Sequence, residues 1–234
     1  MTVHLVGAGP GDPELITVRG ARLIAGADVI LHDRLAQPLL ALAGPTTEIV
    51  DVGKAPGAAP VSQADINRLL VEHGRRHDSV VRLKGGDPFI FARGAEEIEA
   101  LRGAGIDYTV VPGISSVLAG PTAAGAPLTS RGVTRTFTVL SGHEEPDSWA
   151  AGYAEALVAL GGTIVVMMGA AHLERIAAHL IAAGADPATP VAATRSATTP
   201  DQVVARATLG EIGPALLASP AVFVIGQVAA IDLR

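Results

Sequence analysis

With 234 residues, 49 % hydrophobic and 17 % charged, the chain can bury a substantial core and is too apolar to be disordered. A formal net charge of −6 argues against a general nucleic-acid binder, and the absence of cysteine excludes disulfides, thiolate metal sites and a cysteine nucleophile. Most basic residues fall early: residues 1–135 carry 13 Lys+Arg against 14 Asp+Glu, residues 136–234 only 4 against 9.

In chain order, the opening MTVHLVGAG lacks the basic and apolar regions of a signal peptide, so a cytoplasmic location is expected. Val3–Val6 reads as a strand running into the glycine loop Gly7-Ala8-Gly9-Pro10-Gly11, and apolar spacing from Leu15 to Ile24 predicts a helix. Strands follow at Val29–Leu31, ending in His32-Asp33-Arg34, and at Glu48–Val52, ending in Gly53-Lys54. Ser62 with Asp65 resembles a capping box opening a helix through Ile66, Leu69 and Leu70. Ser79–Leu83 is a strand, Ala95–Leu101 a helix and Tyr108–Val111 a strand, after which Pro112-Gly113 breaks the chain.

The second part repeats the alternation. Strands are expected at Thr136–Leu140, Thr163–Met168, Val191–Thr194, Val203–Ala205 and Ala221–Ile225, with helices at Ala154–Leu160 and Leu173–Ala183. The uncharged run between Glu155 and His172 is too short for a membrane span and contains Gly161 and Gly162. The fold class is α/β: two α/β domains with mostly parallel sheets, residues 1–113 and 114–234. The helix after the break fits either half.

Three strings stand at strand ends, where open α/β sheets bind ligands. The first, Val6 to Gly20, is a poor dinucleotide motif: its third glycine comes too early and Pro10 removes an amide. In the second, Val80 to Glu97, Gly85 and Gly86 offer backbone groups and Asp87 could accept from a hydroxyl or cap a turn. The third, Val110 to Gly132, is dominated by small residues, which admit a flat ligand or a close helix crossing. The histidines show no metal-ligand spacing, and no metal is expected; His32 adjoins Asp33, and His172 and His179 share a helix face.

Together VGAGPGDPEL, HDRL, VGK, VRLKGGDPFIF and VVPGISS with PLTSRG resemble the uroporphyrinogen-III C-methyltransferase family, with later matches at VVMMG, PVA and TTPDQ. The resemblance implies the tetrapyrrole methylase fold, with a ligand cleft between two α/β domains. It implies S-adenosylmethionine as methyl donor and two methylations of uroporphyrinogen III to precorrin-2, on the route to sirohaem and cobalamin. A homodimer is implied, with a small-molecule tetrapyrrole, no nucleic acid and no membrane as partners. Carried over residue by residue, Pro10, Gly85, Gly86, Asp87, Ile90, Ser115, Ser116, Met168 and Ala197 would contact the donor. Asp33 would accept the proton and Lys54 would act as acid or electrostatic partner. Ala55, Ser130 and Ala197 depart from the family pattern.

The implied substrate carries eight carboxylates, which basic residues would bind. Arg34, Lys54, Arg82, Lys84, Arg93, Arg131 and Arg135 are candidates, with Arg34 and Arg131 foremost. Three alternatives stay open: a methylase of a later corrin intermediate, a Rossmann-type nucleotide-dependent oxidoreductase, and a non-catalytic tetrapyrrole carrier.

Overall fold

The computed structural model describes residues 1–53, 61–213 and 218–234. The chain divides into two compact units, Met1–Ser115 and Ser116–Arg234. No described helix is long and apolar enough to cross a membrane.

In the first unit, β1 (Thr2–Gly7), β2 (Val29–His32), β3 (Glu48–Asp51), β4 (Ser79–Lys84) and β5 (Asp107–Val111) form one sheet in the order β3-β2-β4-β1-β5. Every pairing is parallel. The helices are α1 (Val18–Ala25), α2 (Gln63–Gly74) and α3 (Gly94–Gly103). The chain leaving β1 crosses β4 to reach β2, whereas the chain leaving β4 crosses β1 to reach β5. Right-handed crossovers in opposite directions put their helices on opposite faces.

The two cores record this. Val3, Leu5, Val29, Leu31 and Val80 pack with Ile66 and Leu70 of α2 and Leu101 of α3. Val6, Ile30, Val81 and Leu83 pack on the other side with Ile24 of α1 and Leu39. Leu39 belongs to a 3-10 run, Arg34–Leu42, that carries no helical sequence signal because Pro38 lies inside it. The helix expected from Leu15 starts at Val18 instead: Thr17 accepts from the Gly20 amide and caps it, and Pro13–Leu15 makes a separate 3-10 turn. Ser62 caps α2 through the Asp65 amide, as its spacing predicts.

The second unit contains α4 (Ser116–Ala123), β6 (Phe137–Ser141), α5 (Tyr153–Leu160), β7 (Thr163–Met167), α6 (Leu173–Ala182), β8 (Pro190–Arg195), β9 (Val203–Thr208) and β10 (Ala221–Ile225). Its sheet runs β6-β7-β10-β8-β9. Only β6 and β7 pair in parallel; β10 is antiparallel to both β7 and β8, and β8 to β9. The parallel expectation therefore holds fully for the first sheet alone. In the second, β6, β7 and β8 still run one way, while β9 and β10 return against them. The short β8–β9 connection has no room for a crossover helix, so that pair must be antiparallel.

Helix α4 lies in the second unit and explains part of the small-residue string. A Cβ on Gly120 would stand 2.9 Å from the Val222 Cβ, and the Gly120 carbonyl accepts from Thr194 at 2.8 Å. The helix backbone thus rests directly on the sheet.

Candidate active site

The carboxyl ends of β1, β2, β4 and β5 bring four loops of the first unit together. Gly9 and Gly86 exchange both main-chain hydrogen bonds, at 3.2 and 2.8 Å. A Cβ on Gly7 would lie 2.5 Å from the Gly113 nitrogen, and one on Gly113 only 2.2 Å from the Gly86 carbonyl. These glycines let three main-chain turns touch. Asp87 fastens them: one carboxylate oxygen accepts from the Phe89 amide at 2.9 Å, the other from the Gly113 amide at 3.0 Å. The turn-capping alternative for Asp87 is therefore realised, and the carboxylate also ties the β4 loop to the β5 loop.

Gly85 is different. Its φ is not positive, and an added Cβ would meet only the Leu35 Cβ, at 3.6 Å. Packing does not require glycine there, so its main chain has a side that a ligand can approach. Pro10 is half-buried beside this edge, Ser115 is buried, and Ile90 is exposed between Phe89 and Phe91.

Asp33 follows β2, and its carboxylate accepts from Arg82 at 2.6 Å. It makes no side-chain cap to the 3-10 run that starts beside it. Among the described residues, the Asp33 carboxylate thus forms an ion pair with a buried arginine, and neither caps the following run nor pairs with Arg34. Arg82 also donates to Glu97 at 3.0 Å, and Lys84 donates to the same Glu97 oxygen at 2.7 Å. The Glu97 side chain is 0 % exposed, those of Arg82 and Lys84 are 3 % and 2 %, and that of Asp33 is 34 %.

Strand alternation explains the cluster. On β4, Val80, Arg82 and Lys84 face α3, whereas Val81 and Leu83 face the other core. Two cations on a buried face need an anion, and Glu97, in the first turn of α3, supplies it. Arg82 and Lys84, candidates for binding substrate carboxylates, are instead consumed by this network. Burial, and then repulsion from Arg82, holds the Lys84 ammonium below its ordinary value, with Glu97 opposing. Burial also works against Arg82, but Glu97 and Asp33 outweigh it and raise that guanidinium further. Glu97 escaped the sequence reading, although the period-2 placement of Arg82 and Lys84 beside Glu96-Glu97 contained the signal.

His32 is buried and hydrogen-bonds the Asp33 carbonyl at 3.2 Å, which fixes the main chain there. Arg34 is exposed. Lys54 and Ala55 lie outside the described residues.

In the second unit, Met168 follows β7 and Ala197 follows β8. Met167 pairs with Val222 and Arg195 with Ala221, so both loops leave the same sheet edge, one strand apart. Met168, Ser196 and Thr198 all have left-handed φ, of 55°, 48° and 68°. Such strain in a non-glycine residue costs about 1–3 kcal/mol and gathers at ligand-binding loops. A concavity of about 470 Å³, bounded by Arg195, Ser196, Asp201 and Pro220, opens beside them. Ser116 begins α4. Arg131 is exposed in a tight turn in which Ser130 accepts from Val133 and pairs with Thr134, the bend eased by Gly132 at φ 83°. Pro10, Asp33, Gly85, Gly86, Asp87 and Ser115 thus share one edge of the first unit, and Met168 and Ala197 one edge of the second.

Residues 2–213 match the family of Tetrapyrrole (Corrin/Porphyrin) Methylases. A Uroporphyrinogen-III C-methyltransferase of Pseudomonas aeruginosa is 46 % identical over 230 residues, covering 97 % of this chain and 93 % of that protein. The crystal structure of a Uroporphyrin-III C-methyl transferase from Thermus thermophilus, complexed with S-adenyl homocysteine, superposes with a TM-score of 0.83 at 40 % identity, covering 98 % of this chain and 99 % of that one. A cobalt precorrin-4 methyltransferase superposes with a TM-score of 0.86 at 28 % identity, covering 97 % of this chain and 95 % of that one. With the match running through nearly the whole length of both units, the chain belongs to the tetrapyrrole methylases.

Proposed function

We propose that this protein transfers methyl groups from S-adenosylmethionine to two ring carbons of uroporphyrinogen III, giving precorrin-2. The observation that carries this reading is the pairing of a partly exposed carboxylate, Asp33, with a glycine-built main-chain loop, Gly85–Asp87, on one sheet edge. The identity of 46 % to a protein of that name supports the substrate over a later corrin intermediate.

When bound, the donor supplies a methyl group already activated by its positive sulfur, so no enzyme nucleophile is needed. What the chain must do is orient, exclude water and take a proton. Arg82 fixes one oxygen of Asp33 and so aims the carboxylate. Positive charge develops on a pyrrole ring as its carbon attacks, and Asp33 would stabilise that charge and then accept the departing proton. The accessible side of Gly85 fits a donor lying against the main chain. The resemblance assigns Pro10, Gly86, Asp87, Ile90, Ser115, Ser116, Met168 and Ala197 to the donor as well, Lys54 to catalysis, and Arg34 and Arg131 to the substrate carboxylates. Both arginines are exposed, as that role requires. A cytoplasmic homodimer is the assembly proposed, on the resemblance; sedimentation velocity of the purified protein tests the dimer.

The direct experiment is incubation with S-adenosylmethionine and freshly reduced uroporphyrinogen III, followed by mass spectrometry. A product heavier by two methyl groups is expected. Unchanged substrate from folded protein would overturn the reading, and activity only on later intermediates would favour the corrin alternative.

A further inference from the structure

Glu48, His73 and His77 each offer a ligand atom, and these atoms all lie within 4.8 Å of one another. From this we propose a divalent transition-metal site on the first unit, remote from the candidate active site. Sequence spacing had pointed to no metal, but His73 and His77 are one helical turn apart. The His77 amide donates to the His73 carbonyl at 3.0 Å, so the α2 turn continues through them and both imidazoles project from the same side. Their ring centroids stand 5.7 Å apart. Glu48, the first residue of β3, provides the third ligand from a neighbouring element.

The His73 Nδ1 is buried and has no hydrogen-bond partner among the described residues. A buried polar atom left unpaired costs about 1–3 kcal/mol, so an imidazole in that state calls for an occupant. An ion bound by one nitrogen would leave the other ring nitrogen to a polar neighbour or water. Arg76, the nearest cation in sequence, is engaged by Glu72 at 2.9 Å and does not compete for the carboxylate of Glu48.

The donor set decides the ion. Two imidazoles and one carboxylate suit zinc, cobalt, nickel or copper, not magnesium or calcium, which take all-oxygen shells. Tetrahedral zinc with bonds near 2.0–2.1 Å needs ligand atoms roughly 3.4 Å apart. Glu48 is exposed, so its carboxylate has room to turn toward the two imidazoles. Three protein ligands leave a fourth position for water.

The placement separates this site from the proposed chemistry. Glu48 pairs with Val29 at the start of β2, whereas His32 and Asp51 pair at the opposite end, beside Asp33. A bound ion would fasten the start of β3 to the end of α2. In the sequence those two points bracket the stretch containing Lys54.

Calorimetric titration of tag-free, chelator-treated protein with Zn²⁺ tests the site, with Co²⁺ absorption reporting ligand type. One ion per chain is expected, with affinity at least about tenfold weaker in His77→Ala and in Glu48→Gln. Methyl transfer by both variants should match the parent protein. Absence of saturable binding, or equal binding by parent and Glu48→Gln, would overturn the proposal. Because Glu48 is exposed, that variant keeps the test valid should His77→Ala fail to fold.

Discussion

At the scale of single residues, Glu97 takes the largest risk. It has no solvent contact, and one of its oxygens, Oε2, has no hydrogen-bond partner among the described residues. Its other oxygen accepts from Arg82, Lys84 and, at 3.5 Å, Gln63. Removing one member of a buried charge network strands the rest, at about 3–5 kcal/mol. Urea unfolding of Glu97→Gln should therefore show a loss of that order. The double variant Glu97→Gln with Lys84→Met should recover part of it, because the stranded ammonium is gone as well. Additive losses would mean that the two groups are not coupled.

Lys84 adds a pH signature. Its folded pKa is lowered, first by burial, so above that value the unfolded chain holds more protons than the folded one. Stability should then rise with pH through the window between the lowered value and the ordinary 10.5. Lys54 is the only other lysine, so Lys84→Met should visibly flatten the alkaline limb of the stability profile. Asp33 belongs to the same network, but its test is kinetic. Asp33→Asn should lower kcat about 10²–10⁴-fold, the usual worth of a general base, with donor affinity little changed in calorimetry. A variant with full turnover would remove Asp33 from the mechanism.

At the scale of elements, the glycines separate into two kinds that composition alone cannot distinguish. Gly7 and Gly113 are demanded by main chain pressing on main chain, and Gly86 by its φ of 65°. Gly85 is demanded by neither. Gly113→Ala should therefore destabilise the fold by several kcal/mol, on the order of other overpacked sites. Gly85→Ala should melt like the parent yet bind S-adenosylhomocysteine more weakly in calorimetry; unchanged binding would show that no ligand uses that face. Strands, caps and α-helices were legible because each has a local cause: the alternation of Ser79–Lys84, the Ser62 cap, the apolar spacing of α6. The 3-10 run Arg34–Leu42 was not, since tertiary packing of Ala36 and Leu39 holds it in place of any helical propensity. Glu97 was hidden for a related reason. A glutamate in a helix's first turn usually faces water, and only the strand register reveals what lies beneath it.

At the scale of the whole molecule, the sequence pattern carried two α/β units but not the direction of every strand. Apolar strands alternating with helices suggest parallel pairing, and β1 to β5 obey. In the second unit β10 slots between β7 and β8 from the far end of the chain, and no local signal records that long-range choice. Of the three strands that do run together, β6, β7 and β8, the last two are followed directly by the strained residues, Met168 after β7 and Ser196 and Thr198 after β8. Backbone strain is maintained only when something offsets it, and a ligand bound by the folded chain does so through mass action. S-adenosylhomocysteine at a hundred times its Kd should add about 2.7 kcal/mol of stability. For a chain of this size that corresponds to a rise in Tm of roughly 5–10 °C in calorimetric melting. NADH at the same concentration should leave Tm unmoved, because the first glycine loop has Pro10 where a pyrophosphate-binding amide would stand. The reverse result, a shift with NADH and none with S-adenosylhomocysteine, would return the glycine loops to a nucleotide-dependent oxidoreductase and remove the donor from this sheet edge.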